Sequence, residues 1–230
     1  MHEYRGASVD LCTGSARIKT TGYKLEPIID LRDGRTVGHE LLYSGPALCT
    51  VEQWRGWYRR MPSILASLPP MSGWIAVNID TWQIMDNAML DIMQCLCGSN
   101  LVIEWTESSL GRPQHNDILA AARRLIDLRE RSGARISIDD AGAGIDAIHR
   151  MSTVQPDYVK IDGNLFHHAR DNMRTQVLIE GLISTVHAIG AQSIMEWIET
   201  QEDNSLARSL NATLGQGFLF GRLESAATSC

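Results

Sequence analysis

Short apolar runs alternate along the chain with longer segments whose apolar positions repeat every three or four residues. This alternation is typical of parallel strands covered by helices, because a parallel sheet is buried on both faces and its connections are usually helical. The pattern begins at Tyr23, and the preceding residues are mostly small and polar without sustained periodicity. We therefore predict a loose arm over residues 1–22 and, since no linker interrupts the rest, a single domain over residues 23–230.

The first two strands are predicted to run in opposite directions. Residues 24–31 and 36–43 are strand-like, and Asp33-Gly34 between them is a strong signal for a tight hairpin turn. Further strands are predicted over residues 74–79, 101–105, 135–139, 157–161, 193–198 and 217–220. The predicted helices run from an N-cap at Thr50 to residue 68, over 81–97, from an N-cap at Asn116 to Gly133, after the turn that follows residue 140, near 171–189 and near 202–210. Six or seven such units favour a closed α/β barrel over an open sheet.

The composition is that of a globular chain and excludes several classes of protein. Apolar residues make up 44% and charged residues 21% of the chain, which fits neither a disordered nor a collagen-like sequence. No apolar stretch approaches the ~18 residues of a membrane-spanning helix, and no signal-peptide pattern opens the chain. The net charge of −6 argues against binding of a nucleic-acid polymer. The five cysteines show no CxxC spacing, so we interpret them as reduced thiols of a cytoplasmic protein.

Acidic side chains stand where buried strands normally exclude them, because an unpaired carboxylate costs several kcal/mol to desolvate. Six lie inside or at the C-terminal ends of predicted apolar strands: Glu40, Glu104, Asp139, Asp140, Glu196 and Glu199. Asn78 and Lys160 occupy equivalent positions on two more strands. The C-terminal ends of parallel barrel strands converge on one mouth, where barrel enzymes carry their chemistry. A single strand-end acid could equally be a helix cap or the partner of a surface arginine, but that explanation does not fit the joint pattern.

This acidic cluster predicts a site for divalent cations. Five or more carboxylates cannot all ionise together without cations between them, and hard metals prefer oxygen ligands. Mg²⁺ or Mn²⁺ is favoured over zinc, because the histidines do not fall at the strand ends. The best candidate to bridge two metals is the pair Asp139 and Asp140, which must lie where the strand gives way to the following turn, since adjacent strand residues point to opposite faces. Lys160 could orient an attacking water or neutralise phosphate charge.

Seven ordered motifs between Tyr23 and Leu223 resemble the EAL family of cyclic di-GMP phosphodiesterases. PIIDLRDGRTVGHELL resembles the family's opening, with Glu40-Leu41-Leu42 where Glu-Ala-Leu is usual. The segments VNI, EWTE and SIDDAGAG resemble the asparagine motif, the E-x-T-E motif and the segment usually written with DDFGTG. DYVKID is a full match to the lysine motif, and EWIET and QGFLFG resemble the two closing motifs. The resemblance implies a modified TIM-type (β/α)8 barrel with one antiparallel strand.

The resemblance also implies roles for individual residues in the hydrolysis of cyclic di-GMP to linear pGpG with two Mg²⁺ or Mn²⁺ ions. One metal would be held by Glu40, Asn78, Glu104 and Asp139, and the second by Asp139 with Asp140 and with Glu196 nearby. Lys160 would position the hydrolytic water, with Glu196 and Gln216 in the same catalytic group. Residues expected to contact the substrate are Leu42, Asp162, Glu199 and Gly217, with Glu199 and Gln216 also supporting the metal and water network. Glu107 is expected to anchor the loop after Asp140.

Two departures from the family pattern affect the expected grip on the ligand. The fourth residue after Glu40 is normally an arginine that holds a ligand phosphate, and here it is Ser44. Losing a charged hydrogen bond of roughly 1.5–3 kcal/mol would weaken binding by ~10–100-fold. Glu26 stands where the family has glutamine, which places an anion where a neutral amide would contact the ligand.

Other departures affect the loop after Asp140. The family's Phe, Thr, Tyr and Ser pair are replaced here by Ala141, Ala143, Ile145, Asp146 and Ala147. We expect Asp146 to repel Glu107 rather than bond to it. Trp197 stands where glycine is usual and adds bulk beside Glu196.

These departures leave two functions open. The first is a metal-dependent cyclic di-GMP phosphodiesterase, which could be slow, since the changes spare the metal ligands. The second is a catalytically degenerate EAL domain that acts as a regulatory module and binds cyclic di-GMP or a protein. A domain that binds only proteins is a further version of the second. Relatives often pair through the barrel edge near the altered loop, so a homodimer is expected.

Overall fold

A computed structural model describes residues 22–96, 100–107, 113–144 and 146–221 and the backbone of residues 223–224. Within these ranges the strands are β1 (Tyr23–Asp30), β2 (Thr36–Tyr43), β3 (Trp74–Asp80), β4 (Leu101–Thr106), β5 (Arg135–Ala141), β6 (Tyr158–Ile161), β7 (Gln192–Met195), β8 (Leu214–Gln216) and β9 (Leu223–Glu224). The helices are α1 (Val51–Ser67), α2 (Thr81–Met85), α3 (Asn87–Cys95), α4 (His115–Ser132), α5 (Asp146–Val154), α6 (Gly163–Ala169), α7 (Met173–Ala188) and α8 (Gln201–Ser209). The predicted arm over residues 1–22 lies almost wholly outside the described residues and stays a prediction.

Eight strands close into a barrel in the order β2-β3-β4-β5-β6-β7-β8-β1, because β1 pairs with both β8 and β2. Strands β2 to β8 are parallel to one another, whereas β1 is antiparallel to both β2 and β8. The short β9 pairs with Lys24 and Leu25 at the start of β1. The predicted TIM-type barrel with one antiparallel strand is therefore confirmed.

Two apolar cores hold the barrel together. The larger one lies between the sheet and the surrounding helices and includes Ile103 and Ile138 of the strands and Leu125 and Ile179 of the helices. A smaller core fills the barrel interior with side chains from six strands: Ile28, Trp74, Ala76, Val102, Tyr158, Ile194 and Leu214. Apolar side chains thus fill one end of the barrel interior, so polar side chains that point into the barrel can gather at the other end of the strands.

Most predicted elements are present, and the boundaries differ for local reasons. The segment predicted as one helix over residues 81–97 is split at Asp86, whose side chain caps α3 by accepting from the Met89 backbone N–H. Helix α4 begins two residues earlier than predicted, with Gln114 rather than Asn116 as its N-cap. The expected left-handed Gly133 does end α4, at φ 70°. Within the described residues, no helix is long and apolar enough to cross a bilayer.

The C-terminal third differs more from the predicted elements. Strand β7 ends at Met195, so Glu196 follows the strand instead of lying within it. The last barrel strand is β8 (Leu214–Gln216), and the apolar run predicted as a strand there forms a 3-10 turn over Phe218–Phe220. Helix α6 was not predicted, because its seven residues are too few to show helical periodicity.

Candidate active site at the barrel mouth

The candidate site residues lie on the strand faces that point into the barrel. Because side chains alternate across a strand, residues two apart share a face. On β3 and β4, Asn78 follows the interior residue Ala76, and Glu104 follows Val102. Three other predicted site residues also lie two positions after an interior residue, on a strand or directly after it: Lys160 after Tyr158, Glu196 after Ile194 and Gln216 after Leu214. The polar site therefore forms the layer directly above the apolar interior.

Lys160 stands at the centre of the acidic cluster. Its side chain is 3% exposed, and Nζ lies 2.7 Å from Glu104 Oε1 and 2.7 Å from Glu196 Oε1. The same atom is 3.3 Å from Glu40 Oε2 and 3.3 Å from Asp139 Oδ1. One buried ammonium group is thus in contact with carboxylates from four different strands or strand ends. No single local sequence feature determines this arrangement, because it depends on how the strands assemble.

Two side-chain amides donate hydrogen bonds to Glu40. Asn78 Nδ2 donates to Glu40 Oε1 at 2.7 Å, and Gln216 Nε2 donates to Glu40 Oε2 at 2.6 Å. Both carboxylate oxygens therefore have a donor, and among the described residues neither amide oxygen accepts a hydrogen bond. The structure places Glu40, Asn78 and Gln216 in one group, although they come from three separate strands.

Asp139 and Asp140 reach the site together because β5 is irregular at this point. The β5–β6 pairing shifts register between Ile138 and Ala141, and Asp140 has a left-handed backbone with φ 56°. This bulge overcomes the normal alternation that would send adjacent side chains to opposite faces. Carboxylate oxygens of Asp139, Asp140 and Glu196 all lie within 4.8 Å of one another, which is an arrangement that could hold a metal ion.

Several buried oxygen atoms at this site have no hydrogen-bond donor among the described residues. They are Asn78 Oδ1, Glu104 Oε2 and Gln216 Oε1. Buried acceptors without donors are costly, and a hard divalent cation would satisfy oxygen atoms of this kind. The donor set is made of carboxylate and amide oxygens without a histidine, so it fits Mg²⁺ or Mn²⁺.

The electrostatics separate the carboxylates into two groups. For Glu40, burial opposes ionisation, but the charge of Lys160 and the bonds from Gln216 and Asn78 outweigh it and lower the pKa. Burial raises the pKa of Glu104 well above its usual range, with the charge of Glu40 acting in the same direction. Burial, together with Asp139, raises the pKa of Glu196 to about 8 and that of Asp140 to about 6. The site therefore retains protons that bound cations would displace.

A cavity of about 550 Å³ opens above the cluster. Its lining consists of Glu26, Glu40, Leu42, Asn78, Asp139, Lys160, Glu196, Trp197, Glu199, Gln216, Gly217 and Phe218. Three of the four residues predicted to contact substrate, namely Leu42, Glu199 and Gly217, are in this lining. Glu26 is also there, and its Oε2 lies 3.4 Å from Gln216 Nε2, so this carboxylate does reach the ligand space.

Other predicted residues are not part of the cavity wall. The fourth predicted substrate residue, Asp162, is 6% exposed and caps α6, because its carboxylate accepts from the Leu165 backbone N–H at 2.8 Å. Ser44 is exposed and follows the end of β2. Glu107 is exposed, and its carboxylate lies against Gly144 in the loop after β5, where a loop anchor is expected. The predicted roles of these residues and the repulsion between Asp146 and Glu107 stay predictions.

Arg150 is a site-supporting residue that the sequence did not indicate. This α5 side chain is 1% exposed and lies with its guanidinium 5.9 Å from the ring centre of Trp105. It donates to the backbone oxygen of Trp105 and, at 3.0 Å, to the backbone oxygen of Asp139. Arg150 thus ties the end of β4 to the β5 segment that carries the paired aspartates. A charged residue on the buried face of an amphipathic helix was the only available signal.

Comparison with known proteins agrees with this geometry. The model of the EAL domain family matches residues 55–223. The chain belongs to the EAL domain family. A probable cyclic di-GMP phosphodiesterase, PdeA of Escherichia coli K12, is 30% identical over 97 residues, which are 42% of this chain and 13% of that protein. An uncharacterized protein of Azorhizobium caulinodans is 26% identical over 234 residues, which are 86% of this chain and 30% of that protein. This EAL chain thus spans less than a third of the length of these relatives.

The fold of this EAL domain is also found in solved structures. The manganese and cyclic di-GMP complex of Klebsiella pneumoniae BlrP1 has a TM-score of 0.74 at 20% identity, over 89% of this chain and 58% of that chain. Since the identity is low, this likeness supports the barrel fold alone. The assignment of chemistry to this EAL domain must come from its own side chains.

Proposed function

We propose that this EAL domain is a metal-dependent phosphodiesterase that hydrolyses cyclic di-GMP to linear pGpG. The observation that carries the proposal is the buried cluster in which Lys160 contacts four carboxylates while neighbouring oxygen acceptors have no donor in the part of the chain that the structure describes. The naming of PdeA as a probable cyclic di-GMP phosphodiesterase supports the substrate. BlrP1, which shares this barrel fold, was solved with manganese and cyclic di-GMP, the kind of metal and ligand that we propose here.

In this proposal Mg²⁺ or Mn²⁺ ions would be held by Glu40, Asn78, Glu104, Asp139 and Asp140, with Glu196 close to the second ion. Bound there, the metals would lower the pKa of a water and polarise the phosphoryl oxygens. Lys160 Nζ would hold that water in line with the phosphorus. The Glu196 carboxylate, whose Oε1 is 2.7 Å from Nζ, would accept a proton from the water. The water oxygen would bond to phosphorus as one ester P–O bond breaks, and the departing sugar oxygen would keep the electron pair of that bond and take a proton from solvent.

The test is a turnover assay on the purified chain. Cyclic di-GMP is incubated with Mn²⁺ or Mg²⁺, and the products are separated by chromatography. Linear pGpG is expected with the wild type, and it should be absent in Glu40→Gln, which keeps the shape of the side chain and removes its charge. A chain that binds cyclic di-GMP yet yields no pGpG at high enzyme concentration would contradict the hydrolase assignment.

The alternative is a regulatory module that binds cyclic di-GMP without hydrolysing it or binds a protein partner. The exposed Ser44 in place of a phosphate-binding arginine and the Glu26 carboxylate at the cavity wall favour it. Calorimetry with cyclic di-GMP separates the two functions, since a module would bind the nucleotide and leave it intact.

The homodimer expected from the family resemblance is part of neither argument and is tested by light scattering of the purified chain.

A further inference from the structure

Trp197 is a large aromatic residue placed at the wall of the candidate active site. It directly follows Glu196, lines the 550 Å³ cavity and is 45% exposed. Most other large apolar side chains of the barrel are buried, so exposing an indole beside a carboxylate cluster forgoes the free energy that burial would provide. Its position therefore calls for a physical reason other than packing.

The backbone of Trp197 is in a conformation that a bulky residue rarely adopts. Its φ is 55°, in the left-handed region, where a residue with a side chain is disfavoured relative to glycine. Such a conformation persists only when the surroundings enforce it, and it is concentrated at ligand-binding and active sites. A tryptophan thus occupies a position whose backbone geometry favours glycine.

The surroundings also fix the orientation of the indole. An ideal Cβ at Gly163 would overlap three adjoining ring atoms, Cγ, Cδ1 and Cδ2, so the backbone of Gly163 lies against one face of the ring. The His167 ring meets the indole edge-on at a centroid distance of 5.4 Å. His167 Nε2 is also 2.9 Å from the backbone oxygen of Trp197. Because Gly163 covers one face and the residue is 45% exposed in the cavity wall, the opposite face is the one that a planar ligand would meet.

We propose that Trp197 is a ligand-binding residue whose indole stacks on one nucleobase of the bound cyclic dinucleotide. This inference rests on the proposed function for its ligand and adds a base-binding role at the rim of the same site. Stacking on an aromatic side chain suits any purine and typically contributes enough that its removal weakens binding roughly 5- to 150-fold. Phe218, 63% exposed in the same wall, offers a second aromatic ring nearby.

The test measures cyclic di-GMP binding by calorimetry in Ca²⁺ and in EDTA, with Trp197→Phe, Trp197→Gly and the control Leu178→Ala. Leu178 is 67% exposed on α7 and is not part of the cavity wall. We expect binding by Trp197→Gly to be at least about 5-fold weaker, binding by Trp197→Phe to remain near wild type and Leu178→Ala to be unchanged. Melting temperature is recorded for each variant, so that affinities are compared only between folded proteins.

A spectroscopic readout separates stacking from a structural role. Nucleobase stacking should quench indole fluorescence, and part of the quench seen with the wild type should disappear in Trp197→Phe. Inorganic phosphate, which has no base, should compete equally well for the wild type and Trp197→Gly. Unchanged cyclic di-GMP affinity in a stable Trp197→Gly protein would overturn the stacking role. Binding without turnover by the wild type would overturn only the hydrolase, whereas no binding by the wild type would overturn both proposals.

Discussion

At the scale of single residues, Lys160 is the group on which the stability of the metal-free site depends. Its ammonium is the shared partner of Glu40, Glu104, Asp139 and Glu196. Removing one member of a buried charged group typically costs about 3–5 kcal/mol, because the remaining charges stay desolvated. We therefore expect Lys160→Met to lower the free energy of unfolding by about that amount in urea titrations with EDTA at pH 8.

The control for this change is Lys24→Met, at the partly exposed start of β1. Added Mn²⁺ should restore much of the lost stability in Lys160→Met, since a bound cation would replace the missing charge. Equal unfolding free energies for Lys160→Met and the wild type in EDTA would contradict the central role of this ammonium.

Arg150 supports the site from beneath through two backbone oxygens. Its hydrogen bond to Trp105 is buried and the one to Asp139 is partly buried, and both are charge-assisted bonds of the kind that contributes about 1.5–3 kcal/mol. We expect Arg150→Met to lose at least that much unfolding free energy and to bind Mn²⁺ more weakly, as measured by calorimetry. The matched control is Arg129→Met, whose guanidinium donates to the Gln155 backbone oxygen at the surface. A loss no larger than that of the control would show that Arg150 does not hold β5 in place.

At the scale of elements, the bulge in β5 decides whether both aspartates reach the mouth. Asp140 has φ 56°, a conformation that asparagine tolerates and a β-branched residue does not. Asp140→Asn and Asp140→Val both remove the carboxylate, so their difference isolates the backbone. We expect Asp140→Val to be less stable than Asp140→Asn by about 1–2 kcal/mol in urea unfolding. Equal stability would mean that the strand can lose the bulge at no cost.

The elements also show what a sequence can and cannot predict. Alternation along a strand predicts that Asn78 shares a face with Ala76, and the structure agrees. The same rule predicted that Asp139 and Asp140 would need a turn to face together, whereas the strand continues through them with a register shift. A bulge depends on the neighbouring strand, so local periodicity does not reveal it. Arg150 was missed for the same reason, since its contact with Trp105 joins residues 45 apart in sequence.

At the scale of the whole molecule, the barrel was predictable because its strand order follows the chain. Each of β3 to β8 pairs with the preceding strand, so alternating strands and helices are sufficient to predict the closed sheet. The position of the site followed, because strand ends of a parallel barrel converge. The strength of each charge interaction could not be predicted from the sequence, because the burial and the contacts of Lys160 arise only when all the strands have assembled.

The raised pKa values at the mouth predict how the whole domain responds to pH and metal. Glu196, with a pKa raised from 4.5 to about 8, and Asp140, raised from 3.8 to about 6, bind more protons in the folded than in the unfolded chain. These groups therefore make the metal-free domain less stable as pH rises from about 5 to 8. Mn²⁺ requires deprotonated ligands and relieves the repulsion between them, so its stabilising effect should increase over the same range.

The measurement is the melting temperature at about pH 6 and pH 8, in EDTA and in Mn²⁺. Glu196→Gln removes the group with the higher pKa, so it should flatten the fall in metal-free stability between these pH values. It should also reduce the gain from Mn²⁺ at pH 8 more than at pH 6, because Glu196, close to the second ion, attracts the cation only when it is ionised. A metal-free melting temperature that rises from pH 6 to pH 8 in the wild type, with no change of slope in Glu196→Gln, would show that Glu196 is already ionised in the folded domain. The proposed proton acceptor would then be charged before any metal binds.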